Sequence, residues 1–136
     1  MRIKQLNYII LFLILIAKLK LYSQSNSDLI GDWEIVNIIN NTSSSLGNCI
    51  EESIGYTQSF YKDSTYFFDQ EPGHDISGKW YIVGNEIRYY NSTCGSDSIP
   101  YGNGFYAFEI TADTTLIISE FMCSEAGGKT YYKKKK

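Results

Sequence analysis

Two Gly-x-Trp triplets constrain the fold of this chain more than any other feature. Gly31-Asp32-Trp33 and Gly78-Lys79-Trp80 each open a run of alternating, β-forming residues. A glycine lets another backbone approach closely, and a tryptophan two residues later points to the same face of the strand. A large inward ring of this kind is suited to closing one end of a small β-barrel. The triplets therefore predict a barrel with a binding interior, and they favour a binding protein over an enzyme.

The first 23 residues have the organisation of a signal peptide. Two basic residues precede an apolar run from Tyr8 to Ala17, and the small Ser23 follows. The run is shorter than the roughly 20 apolar residues of a membrane-spanning helix, although two lysines between it and Ser23 leave an uncleaved anchor as the alternative. Because the earliest cysteine is Cys49, no cysteine is placed to carry a lipid anchor. We predict a secreted or periplasmic protein with a mature domain at residues 24–136.

The charge of the mature chain argues against a nucleic-acid partner. Four of the 12 Lys and Arg residues lie in the leader, which leaves 8 against 15 Asp and Glu, a net charge of −7. Such a chain repels phosphates, and no basic stripe is interleaved with aromatic residues. Four of the 8 cations form the end of the chain, Lys133 to Lys136, where they are expected to keep the last strand soluble. We also predict no stable membrane insertion after the signal is cleaved.

Short β-rich runs separated by turn residues recur after the leader about every 10 residues. The eight runs are Gly31–Ile39, Ile54–Tyr61, Ser64–Asp69, Ser77–Val83, Glu86–Asn91, Gly104–Thr111, Thr115–Met122 and Lys129–Lys134. Asn40 to Asn48 is the one long link, and it could fold over one end of the protein. Tight links favour pairing of successive strands, and eight such strands can close on themselves. The prediction is an all-β, eight-stranded, antiparallel up-and-down barrel without a helix.

Several of these segments resemble the lipocalin-like domains of secreted proteins from Bacteroidetes-type bacteria, which are calycin-like β-barrels. The matching residues are Leu29-Ile30-Gly31-Asp32-Trp33-Glu34-Ile35-Val36, Phe60 with the hairpin Lys62-Asp63-Ser64-Thr65-Tyr66, Gly78-Lys79-Trp80-Tyr81-Ile82 with the turn Gly84-Asn85-Glu86-Ile87, and Leu116-Ile117-Ile118 before Tyr131-Tyr132-Lys133. The resemblance implies that Trp33 packs across the closed base of the barrel, below an interior that holds a small apolar molecule. The chain departs from lipocalins in lacking a Thr-Asp-Tyr motif, a late arginine to stack on Trp33, and room for a helix beside the barrel.

The sequence offers little for catalysis. His74 is the single histidine and lies in a Pro-Gly-His-Asp turn, where an exposed loop residue is the default. Glu51 and Glu52 are adjacent, so in a strand they would point to opposite faces and could not share a substrate. No nucleophile elbow or phosphate-binding loop is present. We predict neither an enzyme nor a cofactor.

The cysteines and the histidine fall in alternate links of the chain. Since odd-numbered links of a meander turn at the same end, Cys49, His74, Cys94 and Cys123 are expected around one mouth, opposite Trp33. A Cys3His zinc site is chemically conceivable, but no Cys-x-x-Cys spacing supports it and we predict no metal. In an oxidising compartment a disulfide with one spare thiol is favoured. Three pairings are open, with a preference for Cys94 with Cys123.

Large inward aromatic residues are the candidates for lining a pocket. They are Trp33, Trp80, Tyr89, Tyr106 and Phe108. The mouth of such a pocket is expected at residues 40–48, 71–75, 94–98 and 123–128. The same rings could instead fill a barrel this short, because aromatic side chains also cover half-buried sheet faces.

Two functions from different classes follow from these residues. The first is non-catalytic binding of a small apolar or amphipathic molecule. The second is a barrel with a filled interior that acts through its loops as a protein interaction or inhibitor module. An enclosed apolar cavity of about 300 Å³ or more would favour the first, and a packed interior would favour the second.

Overall fold

Eight strands form one closed barrel in the computed structural model, which describes residues 8, 25–40, 52–111, 114–121 and 127–136. The strands are β1 (Gly31–Ile39), β2 (Thr57–Phe60), β3 (Thr65–Asp69), β4 (Ile76–Val83), β5 (Glu86–Cys94), β6 (Ile99–Ile110), β7 (Thr115–Ser119) and β8 (Lys129–Lys134). Each strand pairs antiparallel with its sequence neighbours, and β1 pairs with β8. The prediction of an all-β, eight-stranded up-and-down barrel is confirmed.

A short helical turn, α1 (Asn26–Leu29), precedes β1, and it is too short to change the all-β class. The backbone N–H of Ser25 donates to the Asp28 carboxylate at 3.0 Å, which stabilises the start of the turn. Leu29 is fully buried, and its carbonyl oxygen accepts a hydrogen bond from the Trp33 indole at 2.7 Å. The turn therefore helps to close the barrel below Trp33. Four residues are too few to show a helical period in the sequence.

Both tryptophans are buried at one end of the barrel, called here the base end, where β1, β3, β5 and β7 begin. Trp33 is 1% exposed and Trp80 is 2% exposed. The Trp80 indole donates to the Thr65 carbonyl at 2.9 Å, and the Phe60 ring meets it edge to face with centroids 5.3 Å apart. Because both indole N–H groups have acceptors, the two rings are buried without an unpaired polar atom. The expected burial of both tryptophans is confirmed.

The opposite end, called the mouth end, carries the odd-numbered links. The Cys94 thiol lies 3.6 Å from the His74 carbonyl oxygen, and the Gly95 N–H donates to the Asp75 carbonyl at 2.8 Å. The expectation that His74 and Cys94 share the mouth end is confirmed. Cys49 and Cys123 lie outside the described residues, as does nearly all of the leader. Cys94 is free among the described residues, so the disulfide remains a prediction.

The hairpin of β5 and β6 is longer than the sequence indicated. Residues near 91–103 look like turn residues, yet Cys94 still pairs with Ile99. The register shifts between Tyr89 and Ser92, where Asn91 has a φ of +50°. A bulge of this kind absorbs an extra residue without ending the ladder. The predicted ends of these two strands at Asn91 and Gly104 were therefore wrong.

The close approach expected at a glycine occurs at Gly78. A Cβ added there would lie 2.9 Å from the Cα of Ser92 and 3.0 Å from a ring carbon of Tyr66. We expect Gly78→Ala to push β4 away from β5 and to lower the free energy of unfolding by about 1–3 kcal/mol. Chemical denaturation of the variant measures the change. Ser77→Ala, at the exposed neighbouring position, is the control and should stay within about 0.5 kcal/mol.

Candidate ligand-binding cavity at the mouth end

A cavity of about 180 Å³ enters the barrel from the mouth end and is partly open to solvent. Six aromatic side chains line it, namely Tyr66, Phe68, Tyr89, Tyr101, Tyr106 and Phe121. The remaining lining residues are Ile76, Ser92, Gly102, Gly104 and Glu120. The cavity is therefore an aromatic chamber with hydroxyl groups on its walls and one carboxylate residue among its lining.

The strands place these rings because inward positions alternate along the chain. Tyr66 and Phe68 are the buried residues of β3, and Tyr89 lies on the inner face of β5. The rings of Tyr66 and Tyr89 meet edge to face with centroids 4.8 Å apart. Tyr106 and Phe121 are 4.9 Å apart and nearly perpendicular, at 85°. Because these two pairs stand at steep angles, a small group inside meets ring faces as well as ring edges.

Hydrogen bonds hold two of the tyrosines in place. The Tyr66 hydroxyl donates to the Ser92 hydroxyl at 2.8 Å, and the Tyr89 hydroxyl accepts from the Gln58 amide at 3.0 Å. Burial raises the pKa of Tyr66, Tyr89 and Tyr106 above the usual value for tyrosine. All three hydroxyls are therefore neutral at neutral pH and can both donate and accept hydrogen bonds.

Beneath the cavity lies a buried polar cluster of Gln58, Tyr89 and Tyr132. Gln58 and Tyr132 are completely buried. Among the described residues, neither the Gln58 side-chain oxygen nor the Tyr132 hydroxyl has a hydrogen-bond partner. Burial raises the pKa of Tyr132 well above its usual value, and the nearby Tyr89 adds to the effect. An unpaired buried hydroxyl costs stability, so this cluster is a weak point of the core.

The five pocket candidates from the sequence divide between the two ends. Tyr89 and Tyr106 line the cavity. Trp33, Trp80 and Phe108 are buried and are not among its lining residues. The Phe108 N–H donates a hydrogen bond to the carbonyl of Asn85, in the β4–β5 turn at the base end, at 2.9 Å. Three of the candidates therefore belong to the closed base of the barrel, and two belong to the cavity at its open mouth.

Ser92 and Phe121 were missed because simple alternation fails at both. Counting by two from Tyr89 points Asn91 inward, but the bulge turns Ser92 inward instead, and Ser92 is 5% exposed. Counting from Leu116 and Ile118 points Phe121 outward. However, β7 ends at Ser119 and Glu120 has a φ of +54°, which turns Phe121 back over the cavity. Tyr66 and Phe68 followed the period of two and could have been found.

The described residues offer little for metal chemistry. They contain no group of three or more His, Cys, Asp and Glu side chains close enough together to hold a metal ion. His74 and Cys94 are near each other at the mouth, but the contact runs through the His74 backbone carbonyl and not its ring. No helix in the described part of the chain is long and apolar enough to cross a membrane.

Comparisons with known proteins identify the fold alone. No family model matches the sequence, and no curated protein matches it. Among solved structures, the chain is similar to an uncharacterized protein from Bacteroides eggerthii DSM 20697, with a TM-score of 0.51 and 11% identity over 79% of this chain and 99% of that chain. The chain is thus an eight-stranded antiparallel β-barrel with a structural neighbour from Bacteroides. No family match supports the finer lipocalin-like assignment.

Proposed function

We propose that this chain is a secreted or periplasmic lipocalin-like protein that binds one small amphipathic molecule in the mouth cavity without catalysis. The observation that carries the proposal is the cavity itself, a chamber lined by six aromatic side chains at the open end of a barrel whose other end is closed. Binding sites of this kind combine apolar walls with a few placed polar groups.

The volume of the cavity limits the ligand. At about 180 Å³ and partly open to solvent, it does not reach the enclosed volume of roughly 300 Å³ or more that was expected of a binding barrel, so the ligand has to be small. An apolar cavity of about 150 Å³ is known to accept benzene. A molecule with one or two rings, or an aliphatic group of similar size, therefore fits, and a long-chain lipid does not.

The polar groups on the walls favour an amphipathic ligand over a purely apolar one. Ser92 and the tyrosines Tyr66, Tyr101 and Tyr106 bring hydroxyl groups to the lining, whereas the Tyr89 hydroxyl bonds Gln58 beneath the cavity. The Tyr106 hydroxyl has no hydrogen-bond partner among the described residues and is available to a ligand. A hydroxyl, amide or amine on the ligand would regain the hydrogen bonds that both partners lose when water leaves.

The alternative is a protein interaction or inhibitor module, and the small size of the cavity is what favours it. If the aromatic side chains at the mouth close over the cavity in solution, the interior is filled and the loops are the remaining functional surface. The two functions therefore differ in whether a small molecule binds in the space beside Tyr106.

A series of ring compounds of increasing size tests the binding function. Phenol and 2-naphthol should bind with sub-millimolar dissociation constants, worth more than about 4 kcal/mol, and 1-hydroxypyrene should be excluded because it exceeds the cavity. Ligand-observed NMR measures all three.

Tyr106→Trp adds bulk at the cavity wall and should abolish binding of phenol and 2-naphthol while the fold is retained. Phe105→Trp is the matched control, because Phe105 is the preceding residue and is 69% exposed on the outer face. The proposal fails if neither phenol nor 2-naphthol binds the folded protein, or if Tyr106→Trp leaves their dissociation constants unchanged. Either result favours the interaction module.

A further inference from the structure

The walls of the cavity have the chemistry of an aromatic cage. Tyrosine and phenylalanine rings carry negative electrostatic potential on their faces, which attracts a cation placed within about 6 Å of the ring centre. Tyr66, Tyr89, Tyr106 and Phe121 surround one chamber, with Tyr89 at 65° to Tyr66 and 57° to Tyr106, Phe121 at 85° to Tyr106, and Phe121 stacked on Tyr89 at 29°. An alkylated ammonium group has the size and the apolar surface to sit among such rings, and it needs few hydrogen bonds.

The charges at the cavity have a single sign. No Lys, Arg or His is among the lining residues, and Glu120 is the one carboxylate residue there. One Glu120 carboxylate oxygen accepts the Gly127 N–H at 2.8 Å, which fixes the side chain. An anionic ligand would find no opposite charge in this chamber, whereas a cation would find the Glu120 carboxylate.

The acidic character extends beyond the cavity to the described part of the mouth end. Six described carboxylates lie in its links or at the adjoining strand ends, namely Glu52, Asp69, Glu71, Asp75, Asp97 and Glu120. Lys129 is the one described Lys or Arg at that end, while Lys62 and the lysines of 133–136 lie at the base end. Clustered charge of one sign at a cleft raises the local concentration of opposite ions. The mouth therefore attracts cations towards the cavity.

We infer that the ligand of the mouth cavity is an organic cation, a quaternary or alkylated ammonium group joined to a small apolar body. This inference rests on the proposed binding function and adds the chemical class of the ligand. The ammonium group lies among the tyrosine rings with Glu120 as its counter-charge, and the apolar body occupies the rest of the chamber or its opening.

Three probes of similar size but different charge test the inference. Phenyltrimethylammonium is the cation, tert-butylbenzene is its neutral isostere, and benzenesulfonate is the anion. We expect the cation to bind at least about tenfold more tightly than the neutral isostere, and the anion to show no binding. Titrations followed by ligand-observed NMR at low salt give the three dissociation constants. Added salt should weaken the cation alone, because it screens the acidic mouth.

A pair of charge variants locates the counter-charge. Glu120→Gln retains an oxygen for the Gly127 N–H but removes the charge, so it should weaken binding of the cation about two- to fivefold and leave binding of tert-butylbenzene unchanged. Glu109→Gln, at an exposed position in β6 away from the cavity lining, is the control and should change neither.

The outcomes separate the ligand class from the binding function. If tert-butylbenzene or benzenesulfonate binds as tightly as the cation, the inference is overturned and the binding function stands. If none of these probes binds, and phenol and 2-naphthol also fail, the binding function itself is overturned. Tighter binding of the cation that Glu120→Gln does not reduce would overturn the role of Glu120.

Discussion

Replacing Trp33 with alanine should lower the free energy of unfolding by about 3–5 kcal/mol. The ring is 1% exposed at the base end of the barrel, and its removal leaves a cavity that the closed sheet cannot collapse to fill. The substitution also leaves the Leu29 carbonyl oxygen without its 2.7 Å hydrogen bond. Urea denaturation followed by circular dichroism measures the loss.

Two controls separate the contributions of this side chain. Trp33→Phe keeps most of the apolar volume but removes the indole N–H, so it should cost less than Trp33→Ala. Phe105→Ala removes an aromatic ring that is 69% exposed and should change stability by no more than about 0.5 kcal/mol. A loss below about 1 kcal/mol for Trp33→Ala would show that the tryptophan is peripheral to the core.

The strand count and the topology were accessible from the sequence because both depend on local signals. Period-two alternation identifies a half-buried strand, and residues such as Lys62-Asp63 or Gly84-Asn85 identify a tight turn. Tight turns leave sequential antiparallel pairing as the available topology. The same reasoning placed His74 and Cys94 together at one end, although 19 residues separate them.

The cavity was only partly accessible, because it depends on places where the alternation breaks. Tyr89 and Tyr106 lie on regular strand positions and were found, whereas Ser92 follows a bulge and Phe121 follows a residue with positive φ. Bulges depend on strand pairing across the sheet, which a single sequence does not display. Cavity volume is harder still, since it depends on the packing angles of several rings.

One of the lysines at the end of the chain has a structural role that a run of four lysines in the sequence does not indicate. They were expected to be a solvated end, but Lys134 pairs with Trp33 in the β1–β8 ladder and its ammonium lies 5.1 Å from the centre of the Trp33 ring. The Lys134 cation therefore covers the Trp33 ring at the base end of the barrel. Lys135 also lies 3.8 Å from the Glu34 carboxylate, a pair exposed enough to contribute little to stability.

Raising the pH above about 10 should destabilise the barrel steeply, with a slope set by its buried tyrosines. Burial raises the pKa of Tyr89 and Tyr132 well above the usual value for tyrosine in the folded protein. Below that pH both hydroxyls are protonated in the folded and unfolded chains, so stability does not depend on them. Above it the unfolded chain releases these protons first, and each tyrosine lowers stability by about 1.4 kcal/mol per pH unit. Two such tyrosines give about 3 kcal/mol per pH unit until the folded hydroxyls ionise.

Tyr132→Phe tests whether the buried tyrosines cause this pH dependence. Whereas Trp33→Ala lowers stability, Tyr132→Phe should raise it at neutral pH. At neutral pH it removes a buried hydroxyl that has no partner among the described residues, so the free energy of unfolding should rise by about 1 kcal/mol. At alkaline pH it should reduce the slope by about 1.4 kcal/mol per pH unit. Tyr131→Phe, the half-buried preceding residue, is the control and should change neutral stability by no more than about 0.5 kcal/mol. A loss of stability in Tyr132→Phe at neutral pH would mean that its hydroxyl is paired, and an unchanged alkaline slope would mean that Tyr132 ionises within the folded barrel.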